Sequence, residues 1–529
     1  MSELLDKLDG LKENGRIPMH MPGHKRNVQL LGNKLPIDKD ITEIDGFDDL
    51  HDAQDLLKRV QDEAARLYGV EKSYMLIGGS TCGILAGIYA ALKGKNPKII
   101  MARECHKSVY HAVEVNNLEA VYLYSAIGEN GILLNDYTKT QSEAAGGTKA
   151  AEGTKVAECV EKNREDMAAY KKVIEENKDA ALLVLTSPNY EGIICKNLKE
   201  IIELAHSYKI PVLVDEAHGA HLLLDEELKE SDAISCGADL VVMSLHKTLP
   251  AMTQTALLHL QGDLIKAENV DHALDVFETS SPSYILMASV AECIEYVKNE
   301  GKSRYRKYKE WLEEFYAECR KLKHIRLLDE EMLKGAKKDP GKVIILGQGR
   351  KIAERLRVEY NIETEMSSLG YALAMTTLCD KKEDLDSLLK DLKDMDEKYP
   401  ELGDATVTKS FTIAPKKRMS IREAVDKKND REIASSDEAM LKIAVAETEV
   451  LSADKIKIVD ETTKDKEAES IPKEVVSLEY IGAYPPGIPL VVPGEVITRE
   501  LLEEIKGLEK AGIYVKTSGR CYPKVKVVK

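Results

Sequence analysis

No apolar run in the 529 residues reaches the length needed to cross a bilayer. The first eleven residues form a charged helical pattern without the apolar core of a signal peptide, so membrane contact and export are not expected and the cytoplasm is. A basic surplus is missing too. The 75 Lys and Arg face 91 Asp and Glu, a net charge of -16, which disfavours nucleic acid as a partner and favours small cations. The nine cysteines include no Cys-x-x-Cys pair and read as reduced, buried thiols. Asp215-Glu216-Ala217-His218 spells a helicase tetrad, yet no G-x-x-x-x-G-K-[ST] loop accompanies it, which excludes the common nucleotide-hydrolase design. With no H-E-x-x-H and no cysteine cluster, no metal is expected at Asp215, His218 and His221.

What is present is an ordinary globular composition. Hydrophobic residues make up 43% of the chain, enough for a sizeable core, and the length predicts about two to four domains. The apolar run from Leu240 to Met243 ends in Ser244-Leu245-His246-Lys247-Thr248, and the run from Ile210 to Val214 ends in Asp215. The spacing predicts two parallel strands joined by a helix, delivering an acid and a lysine to one carboxyl edge, where α/β sheets bind ligands. A lysine that forms a Schiff base and an aspartate for a pyridine nitrogen are the pair that pyridoxal phosphate requires. Taken alone, Lys247 reads more readily as a surface lysine after a strand.

Other strand ends add to this edge. Ser73 to Ile77 precedes Gly78-Gly79-Ser80-Thr81-Cys82-Gly83 and a helical run, Ile84 to Leu92. This strand, small-residue turn and helix would cradle a phosphate on unpaired amides and hydroxyls, or form only a capped turn. Lys98 to Ala102 leads to His106, an imidazole that could stack on a flat ring or serve as hydrogen-bonded structure. Ala181 to Leu185 leads to Thr186-Ser187-Pro188-Asn189-Tyr190. Near the start, Pro18 to Arg26 is a basic, proline-punctuated loop in which His24 and Lys25 suit an anion as well as solvent. Residues 141–179 read as a partly helical surface insertion, and Ser452 to Ser470 as a solvated charged segment.

In chain order, PMHMPGHKR (18–26), GGSTCG (78–83), ECHKSVYHA (104–112), LTSPNYEG (185–192), VDEAHGAH (214–221), SLHKTLPAMTQTA (244–256), SSPSY (280–284) and IGAYPPGIPLVVPGE (481–495) resemble the Orn/Lys/Arg decarboxylases. These belong to the pyridoxal-phosphate-dependent fold-type-I superfamily. The resemblance implies an α/β large domain like that of aspartate aminotransferase, with a mostly parallel sheet, a small α+β domain and an α+β C-terminal domain. The matching boundaries are an arm at 1–52, a cofactor domain at 53–285, a small domain at 286–400 and a last domain at 405–529.

The same resemblance implies roles. Lys247 would carry the cofactor, Asp215 would pair with its ring nitrogen and His106 would stack on its face. Ser80, Thr81, Ser244 and His246 would hold its phosphate, and His218 would lie near its hydroxyl. Lys247 or His246 would return a proton to the substrate. Ser280 to Tyr284 would approach the phosphate at a subunit interface, and His24, Lys25 and Glu495 are candidates for substrate contact. The implied substrate is a basic L-amino acid: arginine, giving agmatine for polyamine synthesis, with lysine or ornithine as alternatives. The implied assembly is a homodimer or a small multiple of it. Larger members carry an N-terminal wing used in high oligomers. This chain starts almost at its arm, so assembly through a wing is not expected. Two further readings remain: an acyltransferase of the α-oxoamine synthase type, which would lack MPGHKR and YPPGIPL, and a silent binding protein, against which the retained Lys247 and Asp215 argue.

Overall fold

A computed structural model describes residues 2–12, 17–32, 34–128, 132–136, 159–333, 335–404, 415–429, 438–442, 458–459, 475–483, 487–519 and 524–528. Its centre is a seven-stranded sheet of β1 (Lys72–Leu76), β2 (Lys98–Ala102), β3 (Glu119–Leu123), β4 (Leu182–Thr186), β5 (Val212–Asp215), β6 (Leu240–Ser244) and β7 (Ala256–Leu260). The order is β1-β7-β6-β5-β4-β2-β3. Strands β2 to β6 pair in parallel, and β7 runs antiparallel to both its neighbours. Every residue of β5, β6 and β7 is buried. Continuous Val and Leu runs of this kind suit strands covered on both faces.

The helices α1 (Leu56–Tyr68), α2 (Gly79–Leu92), α3 (Lys107–Val115) and α4 (Leu198–Ser207) pack around this sheet. The segment between β5 and β6 departs from the expected helix and holds two 3-10 turns, Leu222–Leu224 and Lys229–Ser231. The cause is local. Asp225 Oδ1 accepts the amide of Glu227 at 2.8 Å and Asp232 Oδ1 that of Ser235 at 2.6 Å, bonds that compete with helix formation.

A second, antiparallel sheet joins β8 (Arg326–Leu327), β9 (Lys342–Leu346), β10 (Met366–Ser367) and β11 (Tyr371–Met375) in the order β10-β11-β9-β8. Two small sheets lie in the C-terminal part, and the helix Arg499–Lys510 buries Leu501, Leu502, Ile505 and Leu508 against them. Within the insertion read at 141–179, the later half forms the helix Cys159–Glu176, and 141–158 lie outside the described residues. Of the charged segment at 452–470, only Ile458–Val459 is described, as a strand. Among the described residues no helix is long and apolar enough to cross a membrane.

Candidate active site

Parallel pairing brings the carboxyl ends of β2, β4, β5 and β6 to one edge, and β1 runs the same way because both it and β6 oppose β7. A cavity of about 660 Å3 opens there. Ser80, Thr81, His106, Asp215, His218, Ser244, His246 and Lys247 all line it, so the structure gathers these eight residues from four strand ends.

Lys247 stands on α5 (Leu245–Thr248), the single helical turn after β6. Its Nζ lies 3.0 Å from His218 Nε2. Burial holds the Lys247 amine below the usual lysine range, although Asp215 and Glu365 oppose the shift. Asp215 is 4% exposed and accepts the Ala217 amide at 3.1 Å. Burial raises its pKa, against the opposing pull of Lys247 and that amide. A cationic ring nitrogen in the cavity would restore the charge of this acid, and that is the fit a pyridoxal ring requires.

Burial holds the imidazoles below the usual histidine range. Burial, then Lys247, pushes His106 down to about 4, and its Nδ1 lies 2.9 Å from Ser108 Oγ as the N-cap of α3. Burial, then Lys342 and Lys247, pushes His218 far below the usual histidine range. His246 Nδ1 donates to the Thr255 carbonyl at 2.9 Å, which leaves Nε2 for a ligand. At the start of α2, Ser80 and Ser244 hydroxyls meet at 2.6 Å. The turn before them is pinned by Glu278, whose carboxylate accepts the amides of Ile77 and Gly78 at 3.1 and 2.8 Å. A Cβ on Gly78 would stand 2.8 Å from Cys82 Cβ and 2.9 Å from that carboxylate, so a side chain there would force a shift in the turn. Two hydroxyls and the first-turn amides of α2 are a donor set for a phosphate, and His246 Nε2 adds a donor when that ring is protonated.

Three sequence candidates lie elsewhere. Glu495 is fully buried, and its two oxygens bind Arg103 Nε and Nη2 at 2.7 and 2.8 Å, so it ties the C-terminal part to the large sheet and does not reach the cavity. Removing one partner of such a buried pair costs about 3–5 kcal/mol. His24 Nε2 lies 3.0 Å from Asp40 Oδ2, and Lys25 Nζ bonds the His20 carbonyl. Neither lines the cavity of its own chain. Nor do Ser280 to Tyr284, where the Tyr284 ring is buried and its hydroxyl donates to the Asp48 carbonyl. Tyr484 to Pro486 fall outside the described residues, but the adjoining Gly487 accepts the Lys107 amide at 3.2 Å and borders His106.

The sequence reading left out several residues that belong to the site. Glu104 and Glu365 line the cavity, Tyr190 OH donates to Glu365, and Lys342 reaches His218 from the second sheet. Glu104 Oε1 accepts the Ser125 amide at 3.0 Å, while Oε2 is buried with no partner among the described residues. Burial lifts this acid to about 7.

The fold and the site define a class: a fold-type-I α/β enzyme that takes pyridoxal phosphate. The Orn/Lys/Arg decarboxylase major-domain model matches residues 12–342, and the chain belongs to that family. An arginine decarboxylase of Bacillus anthracis is 28% identical over 517 residues, which cover 94% of this chain and 91% of the relative. The constitutive lysine decarboxylase of Escherichia coli K12 is 26% identical over 229 residues, 43% of this chain and 29% of the relative. In three dimensions the E. coli constitutive lysine decarboxylase superposes with a TM-score of 0.73 at 18% identity, covering 100% of this chain and 82% of that one. The chain is accordingly a pyridoxal-phosphate-dependent amino-acid decarboxylase.

Proposed function

We propose that this enzyme decarboxylates a basic L-amino acid, arginine in the first place, in the cavity at the carboxyl edge of the large sheet. The observation that carries the reading is the placing of Asp215 and Lys247 at the ends of adjacent parallel strands, both lining one cavity. Lys247 holds the cofactor, Asp215 keeps its ring nitrogen protonated, and His106 covers the ring face. Ser80, Thr81, Ser244 and His246 hold its phosphate. When bound, pyridoxal phosphate supplies the electron sink for the pair released as carbon dioxide leaves. Lys247 or His246 then delivers a proton to Cα.

Arginine rather than lysine or ornithine is supported by the relatives that carry that name over nearly the whole chain. Two acids, Glu104 and Glu365, line the cavity and are available to a side-chain cation. A planar guanidinium takes a carboxylate bidentately, whereas an ammonium is met as a point charge, so the pocket discriminates between them.

A homodimer completes the proposal. The arm exposes Ile17, Met19, Met21, Leu30 and Leu35, Met19 by 85%, an apolar display that a second copy would cover. The SSPSY segment and the basic loop would then serve the partner's cavity. Carbon dioxide release from arginine, lysine and ornithine, followed through a dilution series by light scattering, tests both parts. Arginine is expected to give the highest kcat/KM, with activity falling as dimers dissociate. A higher value for lysine or ornithine overturns the arginine assignment, and an active monomer overturns the dimer.

A further inference from the structure

Lys342 opens β9 in the second sheet, yet it is 1% exposed. Its stem passes over Gly192, where a Cβ would stand 2.4 Å from Lys342 Cγ. The Nζ ends 2.8 Å from His218 Nδ1, and the other nitrogen of that ring, Nε2, lies 3.0 Å from Lys247 Nζ. Three side chains from both sheets thus form one row of nitrogen-to-nitrogen contacts. A neutral imidazole has one proton to donate and one lone pair to accept with. If both amines were ammonium ions, each would need an acceptor in the ring, and only one exists. If the ring were an imidazolium, it would have none. The row accommodates one ammonium.

We propose that Lys342 is a positioning residue for Lys247: the two lysines share a single positive charge through His218, and Lys342 recharges Lys247 with a proton whenever that amine is free of cofactor. This rests on Lys247 being the cofactor lysine. In the step, an N–H of Lys342 passes its proton to Nδ1 as Nε2–H passes its own to Lys247. The ring is neutral before and after, Lys342 goes from ammonium to amine and Lys247 from amine to ammonium. Solvent supplies the one proton that decarboxylation consumes in each turnover.

The surroundings suit a lysine poised to exchange its proton. Burial brings Lys342 down to about 8, Asp339 opposes the shift, and Lys247 adds to it. The titratable groups facing it are Asp339 and Lys338 on the loop before β9, Glu191 next to Gly192, Glu365 ahead of β10, His218 and His221 after β5, and Lys247 after β6. Tyr190 lies under the ammonium at 6.0 Å from its ring centroid. Asp339 is the fixed counter-charge. Burial alone would raise it, but His221, at 3.3 Å, and Lys342 hold it at about 2.

Two variants separate the shared charge from the proton transfer. Covalent capture of pyridoxal phosphate by the cofactor-free protein is followed by visible absorbance against pH, because capture needs the neutral Lys247 amine, and kcat and KM are measured separately. In Lys342→Met the neighbouring cation is gone, so the capture midpoint moves up by about one pH unit. Its kcat falls at least about tenfold with little change in KM. In Lys342→Arg the charge stays, so the midpoint stays, but a guanidinium does not give up its proton and kcat falls as in Lys342→Met. A Lys342→Met midpoint equal to that of the wild type, or a Lys342→Arg variant with wild-type kcat, overturns the proposal. Both variants still capture the cofactor. Covalent capture by Lys247→Ala would instead overturn the reading of Lys247 itself.

Discussion

Replacing Lys247 by alanine is expected to abolish covalent cofactor binding and to lower kcat by at least about 10³-fold. The amine does two jobs from one position. In the proposed mechanism it would anchor the cofactor and be, with His246, one of two candidate proton donors to Cα. Its pKa is held down by burial, which favours the neutral, nucleophilic amine. Alanine removes both functions and leaves His218 Nε2 without its neighbour. Loss of visible absorbance together with turnover is the expected pair of readings, and a variant with wild-type turnover would sink the assignment.

Asp215→Asn is expected to keep some cofactor and lose about 10²-fold or more in kcat. An amide of the same shape still accepts the Ala217 amide on its oxygen, so the backbone after β5 has no reason to shift. What disappears is the negative charge. Asp215 lies in a buried place that disfavours its charge, and a protonated ring nitrogen would be a cation that restores it. Without the carboxylate the ring nitrogen loses its proton and the ring attracts electrons less strongly. Visible absorbance retained with slow turnover supports this account, and full-rate turnover with bound cofactor contradicts it.

The residues at the strand ends were legible because each belongs to a local pattern: an apolar run, then a small or polar turn, then the functional side chain. Lys98–Ala102 was bounded from sequence as observed, and the other predicted strands of the large sheet shifted by one or two residues at one or both ends. Strands β3 and β7 were not marked. For β7, the seven-residue link Leu249–Thr255 after α5 is too short for a crossover between parallel strands, so its antiparallel course was available in principle. The helix Tyr284–Tyr296 passes through a π turn, Val297–Gly301, into Lys302–Cys319.

The residues that sequence reading missed or misplaced owe their setting to distant partners. Lys342 looks like any lysine that opens a strand, and its partner His218 lies 124 positions upstream. Glu495 looks like a free acid after a turn, yet the guanidinium that neutralises it, Arg103, is 392 positions away. Glu104 stands two residues before His106 in a segment already singled out, but nothing local shows that one of its oxygens is buried without a partner. Pair geometry of this kind depends on the packing of separate sheets, which a single sequence does not display.

The central claim is that Lys247, and not the nearby Lys342, carries the cofactor. Borohydride reduction of the cofactor-loaded enzyme, followed by proteolysis and mass spectrometry of the labelled peptide, tests it most directly. The account predicts the label on Lys247, within Ser244-Leu245-His246-Lys247-Thr248. A label on Lys342, or a cofactor that reduction does not fix to the protein, would contradict it.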